Sequence, residues 1–240
     1  EGDTGQRAAR EHAVDRGAIS GLDELVGNKG LEKNEAEDAI GMLAEARKGK
    51  HRAAISTAGA SQLGRMVLAL AKREGYPVIH TVRRPEQAEL LRSLGADHVL
   101  DSSTPDFESE LSAKAQDLGA TIAFDAIAGE SPNQLLEAMP PLSKVLVYGV
   151  LAGSREMPMN VGPVLSKASG IEGFYLIHWM ENVGPLQLLL AARKAQKLFA
   201  DGTFKTQIAR RVSLEDAVSG IEAYLEDMTG GKTLICPQQK

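Results

Sequence analysis

Short apolar runs alternate with longer stretches of helical periodicity along most of this chain. The runs are too short for helices and several are rich in β-branched residues, which predicts strands. The predicted strands are Ala53–Ser56, Val78–Val82, His98–Leu100, Thr121–Asp125, Lys144–Tyr148, Ile171–Ile177 and Thr233–Cys236. Between them, apolar residues recur three and four positions apart, which indicates amphipathic helices. The predicted helices cover 36–47, 63–74, 85–94, 108–118, 131–139, 184–199 and 213–225.

The regular alternation of strand and helix indicates the fold class. It predicts an α/β protein with a doubly wound, mostly parallel six-stranded sheet and helices on both faces. Thr121–Asp125 is apolar almost throughout, as expected of a strand that is buried on both faces. Ligands of such sheets bind beyond the carboxyl ends of the strands. We therefore expect the functional residues in the loops that follow the strands.

The turn between the first strand and its helix reads Gly59-Ala60-Ser61-Gln62-Leu63-Gly64. It differs by one residue from the G-x-G-x-x-G fingerprint of a Rossmann βαβ unit. Gly59 permits a sharp turn, Ser61 is small enough for backbone N–H groups to approach a phosphate, and Gly64 lets the helix pack closely. The alternative is an ordinary tight turn, but the strand–turn–helix–strand context favours a site for the pyrophosphate of a dinucleotide.

The end of the second predicted strand indicates which dinucleotide binds. NAD-binding folds usually carry Asp or Glu here to hold the ribose 2′-hydroxyl. This chain instead has Arg83 and Arg84, and no carboxylate occurs before Glu86. Two guanidinium groups suit a 2′-phosphate, which predicts NADP(H), whereas the alternative is a pair of solvated arginines on a loop.

Composition excludes several classes of protein. The chain has 240 residues, of which 43% are hydrophobic and 25% charged, and no run resembles a signal peptide or a membrane span. No basic patch suggests nucleic acid as a partner. The single cysteine, Cys236, leaves no internal disulfide, so we expect a cytoplasmic protein. The five histidines are scattered without metal-binding spacing, so we predict no metal site.

The first 38 residues differ from the rest in charge. They hold ten acidic and five basic residues, so this segment accounts for the whole net charge of −5. It has few large apolar residues, and we interpret it as an acidic N-terminal segment that is loosely ordered or partly helical, with Gly21–Val26 as the helical part. Residues 39–240 are then the NADP-binding Rossmann domain.

Five motifs together resemble the medium-chain dehydrogenase/reductase family. They are Gly59–Gly64, Leu94–Val99, Tyr148–Gly149, Ile171–Phe174 and Gly230–Leu234. The most similar branch is the zinc-free one, which contains NADPH:quinone oxidoreductases and 2-enoyl thioester reductases. The resemblance covers roughly residues 39–236. It implies a homodimer that pairs through the strand at Ile171–Ile177.

The resemblance also implies which residues bind the cofactor. The glycine turn would hold the pyrophosphate, the two arginines the 2′-phosphate, and the loops after the fourth and fifth strands the ribose and nicotinamide. The backbone of the sixth strand, at Phe174–Leu176, would receive the carboxamide. The candidate residues are Gly59, Ala60, Ser61, Gln62, Leu63, Gly64, Arg83, Arg84, Asp125, Ala126, Ile127, Tyr148, Gly149, Val150, Phe174 and Leu176. For Phe174 and Leu176 simple core packing is an equal alternative, and Tyr148 fits a packing role better than a catalytic one.

One departure from the family concerns the N-terminus. Family members carry a GroES-like β domain there, which supplies much of the substrate pocket and, in the enoyl reductases, the proposed proton donor. Residues 1–38 lack the alternating pattern that such a domain needs. We therefore expect a nucleotide-binding domain without the GroES-like domain, whether as a fragment, a processed product or a reduced family member.

Two functions stay open from the sequence. The first is an NADPH-dependent oxidoreductase acting on a small molecule, either a quinone or an activated alkene, as in the 2-enoyl reductases. The second is a non-catalytic NADPH-binding module or subunit. A short-chain dehydrogenase is disfavoured because no tyrosine begins a Tyr-x-x-x-Lys motif. The catalytic residues are unknown, because no general acid or nucleophile–base pair is visible. We expect slow or no turnover from this chain alone.

Overall fold

A computed structural model describes residues 28–153, 156–226 and 229–236 of the chain. The chain divides into two units. The larger unit is Glu35–Lys205, and the smaller one contains Thr206–Lys240 together with Glu1–Asn34. The predicted helix at Gly21–Val26 lies outside the described residues.

The elements follow one another in alternating order. The strands are β1 Ala53–Ser56, β2 Val78–Val82, β3 His98–Asp101, β4 Ala120–Asp125, β5 Lys144–Val147, β6 Gly170–Gly173, β7 Ile208–Val212 and β8 Lys232–Ile235. The helices are α1 Asn28–Lys48, α2 Gln62–Arg73, α3 Pro85–Ser93, α4 Phe107–Leu118, α5 Ser131–Ala138, α6 Val161–Lys167, α7 Leu176–Asn182, α8 Pro185–Ala200 and α9 Ala217–Glu226.

Six parallel strands form the sheet of the larger unit, in the order β3-β2-β1-β4-β5-β6. This is the strand order of a dinucleotide-binding doubly wound fold, and the chain reverses its direction of progress between β1 and β4. The predicted six-stranded, doubly wound α/β class is confirmed. The carboxyl ends of β1 and β4 therefore define where a nucleotide would bind.

Two hydrophobic layers cover the sheet, one on each face. On one face, α1, α2 and α8 pack over strand residues such as Phe124 and Leu146, which are buried. On the other face, α4 and α5 cover Ile55, Ala123 and Val145. Each of these five helices buries one apolar stripe, which is the pattern that the sequence predicted.

The direction in which α1 runs along the sheet determines which of its residues lie near the carboxyl ends of the strands. Near its C-terminal end, the Arg47 guanidinium lies 5.7 Å from the ring centre of Tyr76, just before β2 begins. Gly41, in the middle of the helix, lies against Phe174 and Trp179, beyond the end of β6. The helix therefore runs from the carboxyl ends of the strands toward their amino ends.

The sixth strand is shorter than the sequence predicts. The prediction of a strand over Ile171–Ile177 is wrong beyond Gly173, because Leu176 and Ile177 lie in α7. The physical reason is that β5 ends at Val147, which pairs with Gly173, so later residues have no strand to pair with. Phe174 makes one last backbone hydrogen bond to Val147 and turns into the core.

The smaller unit contains a two-stranded parallel sheet. β7 pairs with β8, and α9 packs on this pair with Gly220 close to Val212 and Thr233. The sequence predicted β8 but not β7, whose residues are mostly exposed. It also placed the start of α9 at Ser213, where the structure has a turn in which the amide of Asp216 donates to the hydroxyl of Ser213.

Candidate nucleotide-binding site

The glycine turn between β1 and α2 is held in one conformation by close contacts. A Cβ atom on Gly64 would lie 2.4 Å from the carbonyl oxygen of Gly59 and 2.7 Å from that of Ala58. These distances are far shorter than a carbon–oxygen contact, so only glycine fits. Ser61 caps the helix, because its hydroxyl oxygen accepts a hydrogen bond from the amide of Gly64 at 3.1 Å.

A buried histidine lies directly beneath this turn. A Cβ on Gly59 would lie 2.9 Å from the Cβ of His80 in β2. His80 is 1% exposed, and its ring nitrogens have no hydrogen-bond partner among the described residues. Burial and the neighbouring His98 lower the pKa of His80 to about 4, so the ring is neutral at physiological pH. His80 therefore supports the turn as an uncharged packing group.

The first turn of α2 offers backbone donors to an anion. Within the described part of the chain, the amides of Ala60, Gln62 and Leu63 have no backbone acceptor. Helix N-termini with such free amides bind phosphate groups. The side chain of Gln62 has another task, because it donates to the carbonyl of Lys205 at 2.9 Å. Leu63 packs on the core and Ala60 is buried, so these predicted site residues could contribute only backbone atoms.

A cleft of about 510 Å³ opens beyond the carboxyl ends of β1 to β4. Its volume lies within the range of roughly 300–1,000 Å³ that is usual for small-molecule sites. Its lining includes Thr57, Thr81, Arg83, Ser102, Ile127 and Ser131. Arg83 is exposed and lines this cleft, whereas Arg84 precedes α3 at its N-cap position and is not among the lining residues. The structure thus distinguishes two arginines that the sequence treated alike.

Asp125 lies beneath the cleft rather than in its wall. Its carboxylate is fully buried and accepts hydrogen bonds from the hydroxyls of Thr57 at 2.8 Å and Ser131 at 2.7 Å. The amide of Ala128 donates a third hydrogen bond at 2.8 Å. Asp125 therefore ties together the loops after β1 and β4. The resemblance implied that Asp125 lines the ribose and nicotinamide, which stays a prediction. The bond to Thr57 was missed, because partners this far apart in sequence leave no local pattern.

Backbone hydrogen bonds join the loops after β4 and β5. The amides of Leu151 and Ala152 donate to the carbonyls of Ala126 and Ile127, each at 2.9 Å. A Cβ on Gly149 would lie 2.8 Å from the carbonyl oxygen of Ala126, so this approach requires glycine. Of the predicted residues here, Ile127 lines the cleft, Ala126 is buried and Val150 is half exposed.

A family model described as zinc-binding dehydrogenase matches residues 63–190, more than half of the chain. The chain belongs to this family. The resemblance of its motifs to the medium-chain dehydrogenase/reductases is thereby confirmed.

Several relatives in this family are reductases. The chain is 25% identical to human mitochondrial enoyl-[acyl-carrier-protein] reductase over 188 residues, which is 75% of this chain and 49% of that protein. It is 26% identical to a 2-haloacrylate reductase from a Burkholderia species over 191 residues, which is 75% of this chain and 54% of that protein. The chain thus spans about half the length of the curated relatives it matches.

A crystal structure from Mesorhizobium loti, of a protein provisionally named an NADPH:quinone reductase, superposes with a TM-score of 0.77. The two chains are 34% identical, and the match covers 85% of this chain and 58% of the other.

Three predicted residues of the present chain lie outside the lining of the cleft, and two of them, Tyr148 and Phe174, pack on the α1 side of the sheet. Tyr148 follows β5, its amide donates to the carbonyl of Asp125 at 2.9 Å, and its ring packs on the core. Phe174 belongs to the core itself, and Leu176 begins α7. None of the three side chains lines the cleft described above. For Phe174 the structure therefore shows the core packing that the sequence had left as an alternative.

Asp38 of α1 is a functional candidate that sequence reasoning missed. Burial, followed by the negative charges of Glu35 and Glu37, raises the pKa of Asp38 to about 7. Asp38 also acts electrostatically on Tyr148, whose pKa is raised by burial, by Asp125 and by Asp38. The only signal in the sequence was three acids within one helical turn.

The described residues contain neither a metal-ligand cluster nor a membrane-spanning helix. Across 28–153, 156–226 and 229–236, no three His, Cys, Asp or Glu side chains come together as metal ligands. No helix in those same ranges has the length and apolar character needed to cross a membrane.

Proposed function

We propose that this chain is the cofactor-binding part of an NADPH-dependent oxidoreductase that reduces quinones or activated alkenes of the 2-enoyl type. The observation that carries the proposal is the glycine turn, in which Gly64 approaches the carbonyl of Gly59 too closely for any side chain. This turn directs the free amides of α2 toward the carboxyl ends of the strands, beside a cleft of suitable size. We accordingly propose residues 39–240 as the NADP-binding domain.

The residues of the site fit such a cofactor. The amides of Ala60, Gln62 and Leu63 would hold the pyrophosphate, and Arg83 would hold the 2′-phosphate at the rim of the cleft. When bound, the cofactor supplies a hydride, and the protein's part is to bind, orient and exclude water. The network of Asp125, Thr57 and Ser131 keeps the loops around the cleft in a fixed arrangement.

The substrate class is supported by the relatives. Two of them are named for reducing enoyl and 2-haloacrylate compounds, which are both activated alkenes. A third carries the name NADPH:quinone reductase. We therefore propose a small-molecule electrophile as the partner in the reaction and place the chain in the zinc-free branch of the family.

We also propose a homodimer that forms through the free edge of β6. Within the described sheet, β6 pairs with β5 alone, so its other edge is open. Open strand edges pair readily with another strand. Sedimentation over a range of protein concentrations tests this, since a monomer at every concentration would refute the dimer.

One experiment tests the proposed function. NADPH and NADH are titrated into the protein by cofactor fluorescence, and NADPH oxidation is then followed in the same samples with a quinone and a 2-enoyl thioester. We expect tighter binding of NADPH and slow but measurable oxidation with one acceptor class. Binding without oxidation would instead favour a non-catalytic NADPH-binding module, and absence of binding would refute both.

A further inference from the structure

Asp38 belongs to α1, which packs on one face of the sheet, and its charge reaches the carboxyl end of β5. It is only partly exposed, and its charge acts on Tyr148, the first residue after β5. Three residues further along α1, a Cβ on Gly41 would lie 3.0 Å from Cζ of Phe174 and 3.1 Å from Cδ2 of Trp179. Residues three apart on a helix share a face, so Asp38 and Gly41 face the same side of the site.

Two buried hydrogen-bond donors occur on the side of the sheet that α1 covers. The hydroxyl of Tyr148 and the Nε1–H of Trp179 are both buried, and neither has a partner among the described residues. Buried polar groups are almost always hydrogen-bonded, and an unpaired one costs about 1–3 kcal/mol. Exceptions of this kind in a native fold indicate a place where another polar group belongs. The unpaired donors and Asp38 thus belong to the same α1-covered side of the sheet.

Helix formation does not explain Asp38. Aspartate is a poor residue for a helix interior, and its usual helical role is at the N-terminus. Asp38 is well inside α1, which begins at Asn28. It also shares its turn with Glu35 and with Glu37, which is only 3% exposed. Three carboxyl groups crowded in this way are costly to ionise together.

We propose that Asp38 is the proton donor of this reductase and works beside Tyr148 at the carboxyl end of β5. The proposal rests on the proposed function. Reduction of an activated alkene or quinone by a hydride leaves a negative charge on the substrate, and one proton completes the product. The O–H bond of the Asp38 carboxyl breaks, and the proton bonds to the α-carbon of the alkene or to the oxygen of the quinone. The electron pair of that bond stays on Asp38 as carboxylate, which regains a proton from solvent.

The surroundings suit a carboxyl group that keeps its proton near neutrality. The charges of Glu35 and Glu37 on α1 act on this carboxyl, and its own charge acts on Tyr148, on which Asp125 also acts. Among the basic residues, Arg65 of α2 interacts electrostatically with Glu35. The pKa of Asp38 of about 7 agrees with this arrangement and is close to the value that serves a general acid best.

The first test compares Asp38→Asn with Asp117→Asn, a matched change at an exposed aspartate of α4. Wild-type turnover should fall about tenfold per pH unit above pH 7, as an essential acid loses its proton. Asp38→Asn should lower kcat by roughly 100-fold or more and abolish this pH dependence, whereas Asp117→Asn should change neither. Asp38→Glu should restore part of the activity together with the pH dependence. A loss of kcat in Asp38→Asn with the wild-type pH profile retained would show a merely structural role and overturn the proposal.

The second test does not depend on turnover. Trp179 is the only tryptophan of the chain and lies on the same face as Asp38. Its fluorescence should titrate with a midpoint near pH 7 in the wild type and in Asp117→Asn, and this transition should be absent in Asp38→Asn. An identical transition in Asp38→Asn would overturn the proposal even if the reductase is active. A wild type that binds NADPH but oxidises it with neither acceptor rejects the reductase assignment, and with it the donor role, whatever the fluorescence shows.

Discussion

Gly64 lies so close to the carbonyl oxygen of Gly59 that a Cβ would approach it to 2.4 Å. This contact joins the first turn of α2 to the end of β1 and positions the free amides of the helix. Gly64→Ala would force the helix away from the turn, and overpacking of this kind costs about 1–3 kcal/mol. We expect a lower Tm and at least a roughly tenfold loss of NADPH affinity, measured by melting and by cofactor titration.

Gly184→Ala is the control for this substitution. No atom lies within 4 Å of the position that its Cβ would occupy, and its φ of −65° is open to any residue. This variant should bind NADPH as the wild type does. Equal effects of the two substitutions would mean that the turn does not shape the binding site.

Arg83 should carry most of the preference for NADPH. It lines the cleft, whereas Arg84 does not. A charge-assisted hydrogen bond to a phosphate is worth about 1.5–3 kcal/mol, so Arg83→Ala should weaken NADPH binding by roughly 10- to 100-fold and leave NADH binding nearly unchanged. Arg84→Ala should have the smaller effect, and both together should erase the preference. Titrations with the two cofactors measure this, with Arg92→Ala on the exposed side of α3 as control. The assignment to NADP(H) would not survive equal affinities for the two cofactors in the wild type.

Asp125 should stabilise the fold and hold the loops around the cleft in place. Its carboxylate accepts hydrogen bonds from Thr57, Ser131 and the amide of Ala128. Asp125→Asn directs an amide N–H₂ at groups that are themselves donors, and a buried donor left unpaired costs about 1–3 kcal/mol. We expect this loss in the free energy of unfolding, measured with urea, and weaker binding of either dinucleotide. Asp117→Asn, which breaks only an exposed ion pair with Lys114, should change stability by less than about 0.5 kcal/mol. Wild-type stability of Asp125→Asn would contradict the role of the network.

The strands and the glycine turn could be predicted because their signals are local. The runs Val78–Val82 and Ala120–Asp125 are apolar and short, and the small residues of the turn stand next to one another in sequence. The end of β6 could not be predicted, because it depends on where its neighbour β5 stops. A short apolar run such as Ile171–Ile177 does not by itself distinguish a strand from the start of a helix.

The roles of single side chains were harder to predict than the elements. The environment of Asp125 depends on Ser131, six positions further along, and on Thr57, which is 68 positions away and meets it only in the folded sheet. The same holds for Asp38, whose charge acts on Tyr148 although the two are 110 positions apart along the chain. Sequence pattern therefore located the edge of the sheet where chemistry is expected, but not which side chains the fold brings together there.

The raised pKa of Asp38 should make the free energy of unfolding depend on pH. Burial and the charges of Glu35 and Glu37 raise this pKa from 3.8 to about 7. Between these values the folded protein holds a proton that the unfolded chain has lost, so stability falls as pH rises. The contribution is fully present below about pH 4 and is lost as pH rises through 7. In urea unfolding at pH 5 and pH 8, the wild type should lose on the order of 2 kcal/mol more than Asp38→Asn between the two pH values. Asp117→Asn should follow the wild type. If the free energy of unfolding of wild type and Asp38→Asn changed equally between the two pH values, this carboxyl would already be ionised in the folded protein at pH 5.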